Sequence, residues 1–130
     1  MYILDTNTLI YFFKGMGNAA KNLLSISPKN ILIPAIVLYE LEVGIAKSTQ
    51  PDKRRKQLET LISRVNVVPF DVKEAKITAQ IRANLEKLGT PIGAYDTLIA
   101  GTALSNNAIL VTHNIKEFQR VEGLKIVDWF

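Results

Sequence analysis

Short, continuously apolar runs recur along the chain and are separated by longer stretches with helical periodicity. Five runs have the length and content of strands: Tyr2–Leu4 and Ile126–Val127 near the two ends, and residues 31–33, 67–70 and 108–111 between them. Strands without polar alternation are typical of a parallel sheet that helices cover on both faces. The pattern therefore indicates an α/β protein.

Helices are predicted in the intervals between these runs, with ends set by capping residues, glycines and prolines. Thr6 or Asn7 would cap a helix that continues through Phe13. Further helices are predicted over residues 18–26, 35–47, 53–64, 72–88 and 96–106, with a short one within 112–119. Asp52 would be the N-cap of the helix at 53–64 and Asp71 that of the helix at 72–88, and Pro34 would lie in the first turn of the helix at 35–47. We expect one domain, residues 1–130, with a central parallel sheet of four to five strands flanked by helices.

The composition of the chain excludes several classes of function and adds little about the fold. The chain has 130 residues, 48% of them hydrophobic and 22% charged, which suits one globular domain. It has no cysteine and one histidine, which excludes disulfides, thiolate zinc sites and multi-histidine metal sites. No signal peptide or membrane-spanning run is recognisable, and we expect a cytoplasmic protein. The net charge of +4 suits a polyanionic partner such as nucleic acid, or an ordinary basic surface.

Three acidic residues lie beside apolar sequence that would otherwise exclude charge. Asp5 follows the first strand, Glu40 interrupts an apolar stretch, and Asp96 precedes the apolar residues 97–100. Ionised carboxylates in apolar surroundings are costly unless a positive charge pairs with them. No Lys or Arg lies within three residues of any of the three. A divalent cation is therefore the predicted partner.

The predicted sheet would allow these carboxylates to meet. Ligands bind beyond the carboxyl ends of parallel strands, and Asp5 and Asn114 each follow a strand. Glu40 is about one and a half turns into its helix, and Glu117 is a candidate for a fourth acidic position. Converging carboxylates favour Mg²⁺ or Mn²⁺, and such a site supports hydrolysis of a phosphodiester by water attacking in line.

Roles follow from this chemistry. Asp5 and Asp96 would be direct metal ligands, and Glu40 would bind the metal directly or through water. Thr6 or Thr112 could hydrogen-bond a ligand carboxylate or a phosphate oxygen.

Each residue also has a purely structural interpretation. Asp5 and Asp96 could simply cap the helices that follow them. The remaining candidates could be solvated or structural residues: Glu40, Glu42, Glu117, His113 and the basic run 53–56. Function is favoured because the acidic residues occur together in an order that an α/β sheet can gather.

Four segments resemble those of PIN-domain ribonucleases, and they occur in the right order. They read Ile-Leu-Asp-Thr-Asn at 3–7, Glu-Leu-Glu-Val-Gly at 40–44, Pro-Ile-Gly-Ala-Tyr-Asp-Thr-Leu-Ile-Ala at 91–100 and Val-Thr-His-Asn-Ile-Lys-Glu-Phe at 111–118. More narrowly, the chain resembles the VapC toxins of bacterial toxin–antitoxin pairs. The similarity covers essentially the whole chain.

The resemblance implies a Mg²⁺- or Mn²⁺-dependent endoribonuclease in which Asp5, Glu40 and Asp96 are acidic catalytic residues. Many members have aspartate where this chain has Asn114, so the fourth role falls to Asn114 or to Glu117. It also implies a homodimer, a cognate antitoxin that enters the acidic groove, and operator DNA bound through that antitoxin. The favoured substrate is tRNA, including initiator tRNA. The apolar stripes of the helices at 35–47 and 53–64 are candidate dimer surfaces.

Three other functions are alternatives to a PIN-type nuclease. A haloacid-dehalogenase-like phosphohydrolase would need a second acid two residues after Asp5, where this chain has Asn7. A P-loop nucleotidase lacks its Gly-Lys-Ser/Thr loop. A non-catalytic module that binds RNA or protein is the main alternative, and Asn114 is the residue that favours it.

Overall fold

The computed structural model describes every residue from Met1 to Phe130. Its five strands are β1 (Tyr2–Leu4), β2 (Ile31–Pro34), β3 (Asn66–Val68), β4 (Ile109–Val111) and β5 (Ile126–Val127). Its α-helices are α1 (Thr6–Lys14), α2 (Ala19–Leu24), α3 (Ala35–Ala46), α4 (Pro51–Ile62), α5 (Val72–Lys87), α6 (Ala94–Ser105) and α7 (Ile115–Phe118). The predicted α/β class with a parallel sheet flanked by helices is confirmed.

The strand order explains where a site can form. All pairs are parallel, in the order β3-β2-β1-β4-β5, and Ile3 in the centre pairs with Leu32 on one side and Leu110 on the other. The chain proceeds outward from β1 to β3 and then crosses to β4 on the other side of β1. Such a reversal opens a crevice at the carboxyl ends of the two strands, where ligands bind in open parallel sheets. Asp5 and Thr112 directly follow those two strands.

The central strands are covered on both faces. Successive strand residues point to opposite faces of a sheet, yet Ile3 and Leu4 are both fully buried, as are Leu110 and Val111. Complete burial of one such side chain contributes about 1.5–3 kcal/mol. The crevice is therefore built on strand ends whose side chains are fully buried.

A close helix contact positions the start of α6. Gly101 on α6 lies against Thr78 on α5, and a Cβ at position 101 would come within 2.7 Å of the Thr78 Cβ. Only glycine allows the two helices to approach this closely. The contact holds α6, and therefore Asp96 in its first turn, against α5.

Two predicted helix caps were wrong. The side chain of Asp5, and not that of Thr6 or Asn7, caps α1. The reason is geometric, because Asp5 leaves β1 in an extended conformation and its carboxylate reaches the first free backbone N–H groups of the helix. α4 begins one residue before Asp52, because Pro51 needs no N–H partner at a first helical position.

Other boundaries moved by a few residues. α6 begins at Ala94 with Gly93 as N-cap, so Asp96 lies in the first turn and is not the cap. β3 ends at Val68 because the next residue is a proline, which cannot donate to the sheet, and Pro34 is the last residue of β2. The predicted cap of α5 by Asp71 is confirmed.

The apolar stripes suggested as dimer surfaces belong largely to the core. Val37, Leu41 and Ile45 of α3 and Leu58 of α4 are all buried within the chain. None of the helices combines the length and the apolar character that crossing a bilayer requires.

Candidate acidic active site

Asp5 connects β1 and α1 at the crevice and is only 5% exposed. Its Oδ1 accepts a hydrogen bond from the Thr8 backbone N–H at 2.9 Å, and its Oδ2 accepts one from the Thr112 hydroxyl at 2.6 Å. Burial raises the pKa of the Asp5 carboxyl despite these bonds, and the charge of Asp128 raises it further. Asp5 is thus both a helix cap and a buried acid at the carboxyl edge.

Thr112 joins the end of β4 to the Asp5 carboxylate. Its side chain is fully buried, and its Oγ1 accepts a hydrogen bond from the Asn114 backbone N–H at 3.0 Å while the hydroxyl donates to Asp5. One hydroxyl therefore orders both the carboxylate and the turn that carries Asn114. The predicted contact of Thr112 with an acidic side chain is confirmed.

Glu40 lies half-buried on α3 and is held by a residue of α1. The Thr6 hydroxyl donates to Glu40 Oε1 at 2.7 Å. Because Thr6 is the first residue after Asp5, this bond fixes Glu40 relative to the end of β1. The second predicted threonine contact is confirmed as well.

Asp96, Glu117 and Asn114 form the third part of the site. The pKa of Asp96 is raised to about 6, first because burial disfavours its charge and next because Glu117 lies within hydrogen-bonding reach. The charges of Asp5 and Glu40 raise this pKa further. The Asn114 side-chain amide donates to Glu117 Oε2 at 3.0 Å. Asp96 therefore shares one electrostatic site with Glu117, Asp5 and Glu40.

None of these four carboxylates has an ion-pair partner in the chain. The ion pairs of the protein lie elsewhere: Arg55–Glu42, Lys73–Glu74, Arg82–Glu86 and His113–Asp128. The helix dipole favours a negative charge in the first turn of α6, yet the pKa of Asp96 is still raised. The site therefore holds excess negative charge that a cation would relieve.

The donor set suits a hard divalent cation bound partly through water. No group of three or more His, Asp or Glu side chains is arranged to enclose an ion directly. Mg²⁺ requires oxygen ligands but usually binds one or two carboxylates and retains several waters. Asp5 and Asp96, with Glu40 and Glu117 beside them, offer carboxylate oxygens of this kind. The residues present fit such an ion.

Several other candidates lie outside the site. Glu42 pairs with Arg55 of the basic run at 3.0 Å on the exposed surface. The ring of His113 stacks on Phe130 with centroids 4.4 Å apart, and its Nδ1 is 2.8 Å from Asp128 Oδ2. These contacts agree with the structural interpretations of Glu42 and His113.

One residue was missed as part of the electrostatic site. Asp128 follows β5 and raises the pKa of Asp5 through its charge. The sequence signal for Asp128 was its position directly after the last predicted strand, because that strand ends at the same edge of the sheet as β1. A cavity of about 680 Å³ between α5 and α6 is lined by none of the four site carboxylates. A smaller groove of about 230 Å³ reaches Glu40 and is lined by Lys14 and Arg54.

Comparison with known proteins agrees with this fold. The model of the PIN domain matches residues 2–124, and the chain belongs to the PIN-domain family. Within that family, its relatives over nearly the whole length include VapC proteins. The tRNA(fMet)-specific endonuclease VapC of Salmonella typhimurium is 39% identical over 128 residues, 98% of this chain and 97% of that protein. Ribonuclease VapC2 of Rickettsia felis is 37% identical over 131 residues, 99% of this chain and 98% of that protein.

Solved structures give the same result. DNA-bound VapBC from Salmonella typhimurium matches with a TM-score of 0.92 at 39% identity, covering 99% of this chain and 98% of that chain. VapBC2 from Rickettsia felis, bound to a DNA fragment from its promoter, also matches with a TM-score of 0.92, at 36% identity and the same coverage. The fold of this chain is therefore one that VapC proteins share.

Proposed function

We propose that this protein is a metal-dependent endoribonuclease toxin that hydrolyses RNA phosphodiester bonds and is neutralised by a cognate antitoxin. The observation that carries the proposal is that Asp96 shares one site with Glu117, Asp5 and Glu40 without a basic partner. Burial first, and then these three carboxylates, raise the pKa of Asp96 to about 6. Strongly perturbed carboxyl groups in a crevice are typical of catalytic sites. The similarity to proteins named ribonuclease VapC supports the reaction class.

In the proposed site, Asp5 and Asp96 bind Mg²⁺ or Mn²⁺, and Glu40 binds it directly or orients a water molecule. A bound divalent ion would act as a Lewis acid on the phosphate and on water. Thr112 and Thr6 hold the carboxylates of Asp5 and Glu40 in place through their hydrogen bonds. These bonds reduce the reorganisation that ion and substrate binding would otherwise require.

The fourth position is shared in our proposal. Asn114 presents its amide nitrogen to Glu117, so the amide oxygen is directed elsewhere and is free to serve as a neutral ligand or acceptor. Glu117 supplies the negative charge beside Asp96. The pair would thus take the place of the aspartate that many family members have at position 114.

The favoured substrate is tRNA, and initiator tRNA is the favoured tRNA, because the Salmonella typhimurium relative is named a tRNA(fMet)-specific endonuclease. The net charge of +4 remains after the acidic cluster is counted, so the rest of the surface is more basic than that total. Such a surface attracts the phosphates of RNA around an acidic site. Lys14 and Arg54, beside Glu40, are well placed to contact them.

We infer four further properties from the similarity to VapC proteins, the VapBC structures and the proposed RNA substrate. A cognate antitoxin binds the protein, and operator DNA is bound only through that antitoxin, since the similar structures are VapBC complexes with DNA. The toxin forms a homodimer. It acts in the cytoplasm, where its proposed RNA substrate is found.

The second candidate function is a non-catalytic module that binds RNA or protein. The neutral Asn114 at a position beside the carboxylates favours it, because the site has one negative charge fewer than a fully acidic set. The two candidates differ in a single respect that can be measured, which is metal-dependent cleavage.

The test compares amide variants of the proposed site with a matched control on the same helix. Asp5→Asn, Glu40→Gln and Asp96→Asn should each reduce Mg²⁺-dependent cleavage of a total tRNA preparation by about 100-fold or more, because loss of a metal ligand removes several kcal/mol of transition-state stabilisation. Glu42→Gln, two residues from Glu40 but paired with Arg55 at the surface, should retain the parental rate. Circular dichroism would verify that each variant is folded.

Cleavage by Asp96→Asn at the parental rate in excess Mg²⁺ would refute the site assignment. Binding of RNA without cleavage by the parent protein, in Mg²⁺ and in Mn²⁺, would instead favour the non-catalytic module. Sequencing of RNA ends from cells that express the protein, beside an Asp5→Ala control, would identify the substrate.

A further inference from the structure

Two exposed tyrosines flank the acidic site. Tyr39 is 52% exposed and Tyr95 is 46% exposed, and their ring centroids are 6.0 Å apart with the planes tilted by 52°. Tyr39 immediately precedes Glu40 on α3, and Tyr95 immediately precedes Asp96 on α6. The pair therefore bridges the two helices that carry two of the proposed catalytic acids.

The two rings lie close to the charges of the site. Tyr39 adjoins Glu40 in the chain and Tyr95 adjoins Asp96, and the two ring centroids are 6.0 Å apart. Each ring therefore lies one residue from a proposed catalytic acid. A phosphate held at Glu40 and Asp96 would lie next to the pair.

The core does not account for these rings. Tyr2 also contacts another aromatic residue, but its partner Trp129 is buried and joins the hydrophobic core. Tyr39 and Tyr95 instead leave about half of their surface in water, although large aromatic surfaces are usually buried or used in binding. Their exposed faces are available to a ligand at the rim of the acidic site.

We propose that Tyr39 and Tyr95 form a stacking surface for a nucleobase adjacent to the phosphate that the acidic site cleaves. This inference rests on the proposed RNA substrate. Proteins that recognise single-stranded RNA stack its unpaired bases on aromatic side chains, and a base attached to a bound phosphate cannot lie far from it.

The spacing of the rings specifies how the base binds. Carbon atoms in contact are about 3.5–4.0 Å apart, so a base between two rings would need centroids about 7–8 Å apart. The tilted rings at 6.0 Å leave too little room for that arrangement. The base therefore stacks on an outer ring face. Stacking requires an unpaired base, which favours a loop or a bulge of a folded RNA over a regular duplex.

The inference is tested by binding alone, so that the result does not depend on catalysis. The probe is a fluorescein-labelled single-stranded RNA dodecamer, titrated with Asp96→Asn protein in EDTA and followed by fluorescence anisotropy. Adding Tyr39→Ala or Tyr95→Ala to this protein should weaken the affinity about tenfold, as is typical for loss of one base–aromatic contact. Tyr39→Phe and Tyr95→Phe should bind within about twofold of the starting protein, because they keep the ring face.

Leu24→Ala serves as the surface control. Leu24 is 76% exposed on α2, outside the acidic site, and its removal should leave the affinity unchanged. A second experiment places one abasic nucleotide at successive positions of the dodecamer. At the stacked position it should weaken binding to the protein with both tyrosines, and it should weaken binding to the alanine variants no further.

Equal affinity of the alanine variants and the starting protein would overturn the inference, and the pair would then be better explained as a protein-contact surface. Loss of affinity in the phenylalanine variants would also overturn it, because the hydroxyl groups and not the ring faces would bind. No measurable binding of the dodecamer would do the same. Each result is independent of whether the parent protein cleaves RNA, which the amide variants test separately.

Discussion

Two acids buried in the same domain, Asp5 and Glu74, have pKa values shifted in opposite directions. Asp5 is 5% exposed and Glu74 is 1% exposed, so burial alone does not distinguish them. Yet the pKa of Asp5 is raised and that of Glu74 is lowered. Both carboxylates accept hydrogen bonds. At Glu74 these bonds and the charge of Lys73 outweigh the effect of burial, whereas at Asp5 burial prevails over the bonds and the charge of Asp128 adds to it.

Glu74 is a structural acid. Burial would raise its pKa, but hydrogen bonds from the backbone N–H groups of Asp71 and Glu74 itself and from the Asn106 side chain lower it, with the charge of Lys73 adding to them. Its Oε1 accepts from the Asp71 N–H at 3.0 Å, and its Oε2 accepts from Asn106 at 3.1 Å. It completes a capping box with Asp71 and ties the start of α5 to the end of α6. This region stabilises the fold.

At the acidic edge, formed by Asp5, Glu40, Asp96 and Glu117, the effects that raise the pKa values of Asp5 and Asp96 outweigh those that lower them. Asp96 faces Glu117, Asp5 and Glu40, and its raised pKa means that its negative charge is unfavourable in the metal-free protein. Sites that break such local rules are commonly functional, because the strain is relieved by the ligand they bind. The same substitution, carboxylate to amide, should therefore change stability in opposite directions in the two regions.

The largest effect is expected in the structural region. Glu74→Gln should lower the free energy of unfolding by about 2 kcal/mol, because charged hydrogen bonds are lost and a new amide N–H₂ group opposes the donor of Asn106. Urea denaturation at pH 7 measures the change. Glu86→Gln on the same helix, which removes only an exposed ion pair with Arg82, should change stability by less than about 0.5 kcal/mol. Equal losses for the two variants would remove the distinction that we draw for Glu74.

A smaller and opposite effect is expected at the acidic edge. Asp96→Asn should raise the free energy of unfolding in EDTA at pH 7.5, by on the order of 1 kcal/mol once solvent screening of this half-exposed group is allowed for. The same urea titration measures it. Excess Mg²⁺ should stabilise the parent protein more than the variant, because the variant lacks one proposed ligand.

The pH dependence of this effect follows from the sign of the shift. The folded-state pKa of Asp96 is about 6 and its ordinary value is 3.8, so its contribution to stability is complete below pH 3.8 and is lost as the pH rises through about 6. The advantage of Asp96→Asn in EDTA should therefore appear between these two values and be constant above them. A variant less stable than the parent at pH 7.5 would contradict the proposed repulsion. Glu74, with its lowered pKa, should contribute above its ordinary value of 4.5 and lose that contribution as the pH falls further.

The smallest effect is the converse substitution at the acidic edge. Asn114→Asp should tighten Mg²⁺ binding severalfold, because it adds a negative oxygen ligand beside Glu117. Isothermal titration calorimetry measures the affinity. Asn84→Asp, which adds the same charge to the exposed surface of α5, is the control and should bind Mg²⁺ as the parent does. Unchanged affinity in both variants would mean that position 114 is not a ligand.

The contrast between these regions also separates what sequence could and could not predict. Asp5, Glu40 and Asp96 were identifiable because each lies in an apolar stretch without a nearby Lys or Arg. Glu74 carries no such signal, since it follows Lys73 in an ordinary amphipathic helix. Its burial depends on Asn106, which is 32 residues away. The capping errors at Thr6 and Asp52 have a similar origin, because several adjacent residues could cap and only the chain path selects one.

The sequence by itself determined the succession of strands and helices and the parallel sheet, because hydrophobic periodicity and breakers act over a few residues. It also placed Asp5 and Asn114 after strands that end at one edge. Only the tertiary structure decided that Thr112 binds Asp5 from 107 residues away and that Thr6 binds Glu40 from 34 residues away. It alone decided the protonation of Asp96 and Glu74 as well, since the free energy of a charge depends on its burial and on distances to groups remote along the chain.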